Sequence, residues 1–287
     1  MRHVINGICV LALLAAGCGG SSGSTAPDPP HVASTAVPVI KVYSSTSAAG
    51  PWGTSQVVTV TGHGARLLID PSPVLMPNGT LLLYYVMAYD DALTNVPSIG
   101  VAQSTDGVTF THKAVAWNGS NLSDPFPMLL DASGTIRLLW SQKDPMVYST
   151  TATDTTGLSF SSTADSGRRA TNGGVTGVVK IGSTYYMYVT SSGQKMNYLT
   201  SSDGLNFAPA GTLSLSGESP SPINAGGGTY LMTYTCGGYS DATTQVSCIA
   251  SSTNGITWTQ VAQIGPGGVP GLVKDASGTL RVYVQGL

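Results

Sequence analysis

The sequence predicts an all-β fold: a five-bladed β-propeller of four-stranded antiparallel blades, its ring closed by N-terminal strands. Three observations carry this expectation. A unit made of a short apolar run, a glycine turn and a second run rich in Leu, Tyr and Val occurs five times, and a search for internal repeats precedes any other reading of a fold. A turn followed by an aromatic residue recurs between the copies. The fifth copy ends after two strands, and two strand-like runs precede the first copy.

The copies begin at Asp70, Asp124, Gly174, Ser219 and Gly268, and their turn glycines, Gly79, Gly134, Gly182, Gly228 and Gly278, are 55, 48, 46 and 50 residues apart. Asn-Gly, Ser-Gly and Gly-Gly between apolar runs are hairpin signals, because such turns need the positive φ that glycine adopts cheaply. Ser104-Thr105-Asp106-Gly107-Val108-Thr109-Phe110 recurs at residues 201–207 and 252–258, with weaker versions ending at Phe160 and Trp52. There the Asp or Asn bonds turn amides and the ring anchors the hairpin, a structural role. Each repeat thus supplies four strands, a propeller blade. Residues 39–45 and 55–61 are expected to complete the fifth blade and cover its open edge. A β-sandwich accounts for neither the spacing nor the matching incomplete ends.

Composition narrows the partners. Of 287 residues, 41% are hydrophobic in short runs and 9% are charged, and the net charge of −2 argues against nucleic acid. Residues 1–18 read as an export leader: Arg2 and His3 precede the apolar Ile8–Ala16, and Leu14-Ala15-Ala16-Gly17-Cys18 resembles a bacterial lipobox, with Cys18 the lipidation site. Residues 19–38, rich in Ser, Gly, Ala and Pro, read as a tether, and residues 39–287 as the propeller. The expectation is an exported bacterial lipoprotein, held at a periplasmic or cell-surface membrane by its lipid, and a monomer. In that oxidising compartment Cys236 and Cys248, on runs flanking a polar loop, are expected to pair as a disulfide; no His lies near them to favour a metal.

In a propeller the innermost strands start near the axis, so equivalent positions form a ring around one pocket. Those positions read Asp70, Asp124, Gly174, Ser219 and Gly268, each preceded by Ile69, Ser123, Gly173, Glu218 and Gly267. Two aspartates and the only glutamate of the chain therefore fall at the hub. Each Asp-Pro also suits an extended strand start, the structural alternative. Entering segments add His63, Arg66, Arg168 and Arg169. Exiting loops add Tyr89, Asp90, Asp91, Lys143, Asp144, Lys195, Tyr239 and Asp241, a set suited to sugar hydroxyls or to a solvated rim.

The turn signature is similar to the Asp-box of sialidases, one residue shorter between Asp and Gly. Asp70-Pro71, Asp124-Pro125, Glu218-Ser219-Pro220 and Gly50-Pro51-Trp52 resemble the five-bladed glycoside hydrolases of family 43 and the related family 32. The resemblance implies Asp70 as catalytic base, Asp124 as the modulator of the acid and Glu218 as the acid. It departs from family 43 in placing the glutamate on the fourth blade, where that family uses the third. The implied partner is an oligo- or polysaccharide, bound with help from His63, Arg66, Tyr89, Asp90, Lys143 and Arg168. No cofactor or catalytic metal is expected, and a structural calcium in the channel stays open. The alternative reading is a non-catalytic propeller that binds glycan or a protein.

Overall fold

The computed structural model describes residues 37–65, 67–89, 98–119, 121–142, 146–166, 169–170, 174–239 and 243–286, the backbone alone at 169–170 and 174–176. Residues 1–36, on which the expected leader, Cys18 and most of the expected tether fall, lie outside them. All regular elements among the described residues are strands. The chain opens with β1 (Val39–Ser45), β2 (Gln56–Val57) and β3 (Thr59–Thr61). Blade one follows as β4 (Leu67–Leu75), β5 (Leu81–Ala88), β6 (Ser98–Ser104) and β7 (Thr109–Asn118). Blade two is β8 (Ser123–Leu129), β9 (Ile136–Ser141), β10 (Met146–Thr151) and β11 (Arg169–Ala170). Blade three is β12 (Gly174–Ile181), β13 (Thr184–Ser191), β14 (Lys195–Ser201) and β15 (Ala208–Ser216). Blade four is β16 (Glu218–Gly226), β17 (Thr229–Gly237), β18 (Val246–Ser252) and β19 (Thr259–Pro266), and β20 (Gly268–Lys274) and β21 (Leu280–Gly286) begin blade five.

Within each blade the strands pair antiparallel from the axis outward. Blade five is completed by β1 on β21 and β2 on β1, in the order β2-β1-β21-β20, so the N-terminus closes the ring. The run 55–61 does not stay together, however. It changes partner at Val58, whose N–H donates to the Ile40 carbonyl (2.8 Å), whereas Thr59 donates to Val108 (3.0 Å) and β3 pairs in parallel with β7. Blade one therefore carries a fifth strand, and the linkage of blades five and one is stitched on both sides.

The apolar core is distributed. Five clusters of buried side chains fill the five junctions between adjacent blades, because each twisted sheet buries both faces against its neighbours. Short turns dock across these junctions. Asp106 Oδ1 accepts the N–H groups of Val108 and Thr109, both at 2.8 Å, and Asp203 and Asn254 do the same in their turns. The carbonyls of the turn glycines then accept from the neighbouring blade: Gly107 from the Tyr283 hydroxyl, Gly157 from Tyr84, Gly255 from Tyr188 and Gly204 from Arg137. These turns are rivets between blades.

Cys236 and Cys248 form a disulfide between β17 and β18, across a sequence separation of 12. Closing a loop of that length restricts the unfolded chain by about 2–3 kcal/mol. The double variant Cys236→Ala/Cys248→Ala is expected to lose about that much in urea unfolding, and a loss under 0.5 kcal/mol would show that the strand pairing already restrains the loop.

Candidate active site at the propeller hub

Inner strands β4, β8, β12, β16 and β20 touch in sequence to form the hub. Each carries a bulge near its start, and the bulged residues take a left-handed conformation: Asp70 at φ 53°, Asp124 at 53°, Ser219 at 57° and Val269 at 49°. Left-handed non-glycine residues are uncommon, and a β-branched one is an outlier held by its surroundings. A bulge re-aims a side chain, and here the bulged residues Asp70, Asp124, Ser219 and Val269 come to line the axial pocket. In blade three the bulge falls at Val175. The ring is therefore Asp70, Asp124, Val175, Ser219 and Val269, which corrects the sequence-based assignment of Gly174 and Gly268 to it. Those glycines lie one residue earlier, and Gly268 fills a place where a Cβ would sit 1.8 Å from Gln245 Oε1.

The left-handed residues are clasped from the preceding blade. Ser219 N–H donates to Thr190 Oγ1 (3.2 Å), Val269 N–H to Thr235 Oγ1 (3.1 Å) and Asp70 N–H to Gln285 Oε1 (3.4 Å). These acceptors occupy one equivalent position on the second strand, opposite Gly174, Glu218 and Gly268. Blade one has Val86 at that position, opposite Ile69. The Asp70 carboxylate takes over instead and accepts the Asp124 N–H at 3.2 Å. Ser141, at the same position of blade two, is buried, and its hydroxyl has no hydrogen-bond partner among the described residues. Asp70 is thus built into the hub and also lines the pocket that opens there.

Residues 70–72, 124–126, 219–221 and 269–271 line an axial pocket with room for about one water molecule. Burial lifts the Asp70 carboxyl to about 6, against the Asp124 N–H, which favours its charge. Asp124 is lifted well above the ordinary carboxylate range, by burial first and then by the charges of Asp70 and Glu218. Glu218 stands one residue outside the pocket lining, half-buried at the start of β16, and burial raises it against a hydrogen bond from Gln194. Tyr239 is close enough to feel the Glu218 charge. The fold therefore gathers the three acids so that Asp124 interacts electrostatically with both others.

Of the remaining sequence candidates, Tyr89, His63 and Lys195 fall within the described residues and outside the pocket lining. Tyr89 follows β5 and is exposed, interacting with Tyr85. His63 follows β3 and lies near His112 of outer strand β7, whose ring nitrogen bonds the Tyr85 hydroxyl at 2.7 Å. Lys195 opens β14. Arg66, Asp90, Asp91, Lys143, Asp144, Arg168 and Asp241, and the Arg169 side chain, fall outside the described residues. Sequence reasoning did not find Gln194 or the clasp residues Thr190, Thr235 and Gln285. Their shared register on the second strand is the signal that a repeat alignment carries.

No family model and no curated protein matches the chain. Solved structures do match in shape. An α-L-arabinofuranosidase of family 43 from Clostridium thermocellum superposes with a TM-score of 0.58 at 16% identity, over 84% of this chain and 88% of that one. The catalytic domain of the family 62 α-L-arabinofuranosidase of Coprinopsis cinerea gives 0.58 at 13%, over 86% and 97%. The RS223 β-xylosidase gives 0.56 at 14%, over 76% and 91%. At the level of backbone architecture, the chain has the five-bladed β-propeller fold found in glycoside hydrolases of families 43 and 62.

Proposed function

We propose that this protein hydrolyses glycosidic bonds in oligo- or polysaccharides, as an exported monomer tethered to a membrane through lipid on Cys18. The supporting observation is the hub electrostatics: Asp124 is buried under the influence of both Asp70 and Glu218. Cleavage needs one protonated carboxyl for the leaving oxygen and one carboxylate for water. Glu218, raised by burial, donates its proton to the glycosidic oxygen as the bond from that oxygen to the anomeric carbon breaks. Asp70 accepts a proton from a water whose oxygen bonds the anomeric carbon from the other side, which inverts its configuration. Exchange with solvent then returns Glu218 to the acid and Asp70 to the carboxylate. Asp124, reluctant to ionise between them, limits the negative charge of the site and tunes the acid.

The shape relatives act on arabinofuranosides and xylosides, so aryl α-L-arabinofuranosides and β-D-xylosides are the probes. Hydrolysis by the wild type is expected, with Glu218→Gln lowering kcat/KM about 100-fold. Hydrolysis that this substitution leaves intact removes Glu218 from the mechanism. A second reading, a propeller that binds glycan or protein without catalysis, draws on two observations: the axial pocket is water-sized, and the Asp70 carboxylate serves as a clasp. Isothermal titration with the same oligosaccharides, showing binding without turnover, would favour it.

A further inference from the structure

The hairpin between β13 and β14 reaches the hub from blade three, and its last turn residue is Gln194. Gly193 and Gln194 both take positive φ, 74° and 56°. Glycine does so freely, whereas glutamine does so rarely, and a residue kept in that conformation points to a local requirement. Two features supply one. The Gln194 carbonyl accepts the N–H of Gly217 at 2.7 Å, and that contact brings the Gln194 side chain within reach of the neighbouring Glu218 carboxyl, whose charged form it favours. Gly217 has no space for a side chain, since a Cβ there would lie 2.4 Å from the Tyr234 ring. One residue of blade three therefore holds both the main chain leading into the acid of blade four and the acid itself.

We infer that Gln194 is the positioning residue of Glu218, holding its carboxyl at the hub in both protonation states through a reversible amide hydrogen bond. The inference rests on the reading of Glu218 as the acid. An amide suits the task because it has both a donor and an acceptor. Its NH2 donates to the carboxylate, and its oxygen accepts from the protonated acid, so the carboxyl stays in place as the proton leaves and returns. A cation at this position would trap the carboxylate, and a second acid would repel it. Among the described residues, the titratable groups that interact with Glu218 are Asp124 from β8, with Asp70 behind it, and Tyr239 beyond β17. Lys195, next to Gln194, pairs in the backbone with Ser216 and is exposed.

Because Glu218 is the only glutamate, ¹³C-glutamate labelling gives a single side-chain carboxyl resonance to titrate. Gln194→Gly keeps the left-handed turn and the carbonyl that holds Gly217, and removes only the amide; Gln194→Asn retains an amide on a shorter arm and tolerates the same φ. Loss of a hydrogen bond that favours the charged form raises a carboxyl. The Glu218 titration midpoint is expected to move up by about half to one unit in Gln194→Gly and to return part of the way in Gln194→Asn. On aryl glycosides the alkaline limb of kcat should move by the same amount, with kcat lowered about 10-fold and KM within about 2-fold. An unmoved resonance in Gln194→Gly overturns the inference. A resonance that moves in a protein that hydrolyses nothing upholds the contact and sinks the glycosidase reading instead.

Discussion

Asp70→Asn is expected to make the protein more stable at neutral pH while removing its hydrolytic activity. Asparagine has nearly the shape of aspartate, and its Oδ1 can still accept the Asp124 N–H that Asp70 Oδ2 accepts at 3.2 Å, so the clasp between blades survives. What disappears is a buried charge. The Asp70 carboxyl rises from 3.8 to about 6 on folding, so the folded state holds that proton more tightly than the unfolded chain does. Its favourable contribution is complete below pH 3.8 and is lost as the pH climbs through about 6. Above that, the fold carries a desolvated carboxylate at a cost of about 2–3 kcal/mol. Asparagine carries no such cost at any pH. Melting temperatures should therefore coincide for variant and wild type near pH 3.5 and differ by about 5–10 °C in favour of the variant at pH 7.5. Activity should fall by at least about 1,000-fold, since the group proposed to take the proton from water is gone. An equal gain at both pH values would place the effect in packing, and a less stable variant at pH 7.5 would show that the clasp requires the charge. Opposite signs in stability and activity distinguish a strained functional acid from a structural cap.

Much of this hub was legible before any coordinates. Five glycine turns at near-equal spacing define five blades, and Asp70, Asp124 and Glu218 were readable as strand-start residues because the repeats align them. The one-residue error in blades three and five has a physical cause. Gly174 and Gly268 read as the axial residues because they open their copies as Asp70 and Asp124 open theirs, yet in these two blades the bulge falls one residue later, at Val175 and Val269. The nearby glycines serve space instead: a Cβ on Gly177 would lie 2.3 Å from the Pro220 carbonyl, and one on Gly271 2.4 Å from that of Pro71. Close approach between inner strands is a tertiary property with no local signature.

Gln194 was hidden for a related reason. In sequence it is a polar residue in a short hairpin turn, and only the ring brings that turn to the start of the next blade. The split of residues 55–61 is of the same kind. A single alternating run promises one strand, but its two halves find acceptors on different blades, Ile40 for Val58 and Val108 for Thr59. Local pattern specifies that a segment is extended, and the partner is chosen by geometry at the closure.

That closure is where the fold should be most vulnerable, and Val42→Asp is expected to unfold it. β1 alternates its buried side chains between two junctions: Ile40 and Val42 enter the cluster between blades five and one, and Tyr43 the cluster between blades four and five. Val42 is 2% exposed and pairs with Tyr283, itself riveted to Gly107 of blade one. Replacing it forfeits about 2 kcal/mol of apolar burial and places a carboxylate in a cluster of buried apolar side chains, so the total should exceed about 4 kcal/mol. A domain holds about 5–15 kcal/mol in all. In a ring the loss is not confined to one blade, because detaching β1 opens the edges of β21 and of blade one together. The same change at Val57, on β2 of the same blade but 58% exposed, should lower the unfolding free energy measured in urea by no more than about 0.5 kcal/mol. Equal effects at the two positions would mean that β1 lies against a ring already closed without it. A large effect at Val42 alone, seen as loss of the cooperative transition, would mean that the N-terminal strand holds the carboxylates of blades one, two and four around a common axis.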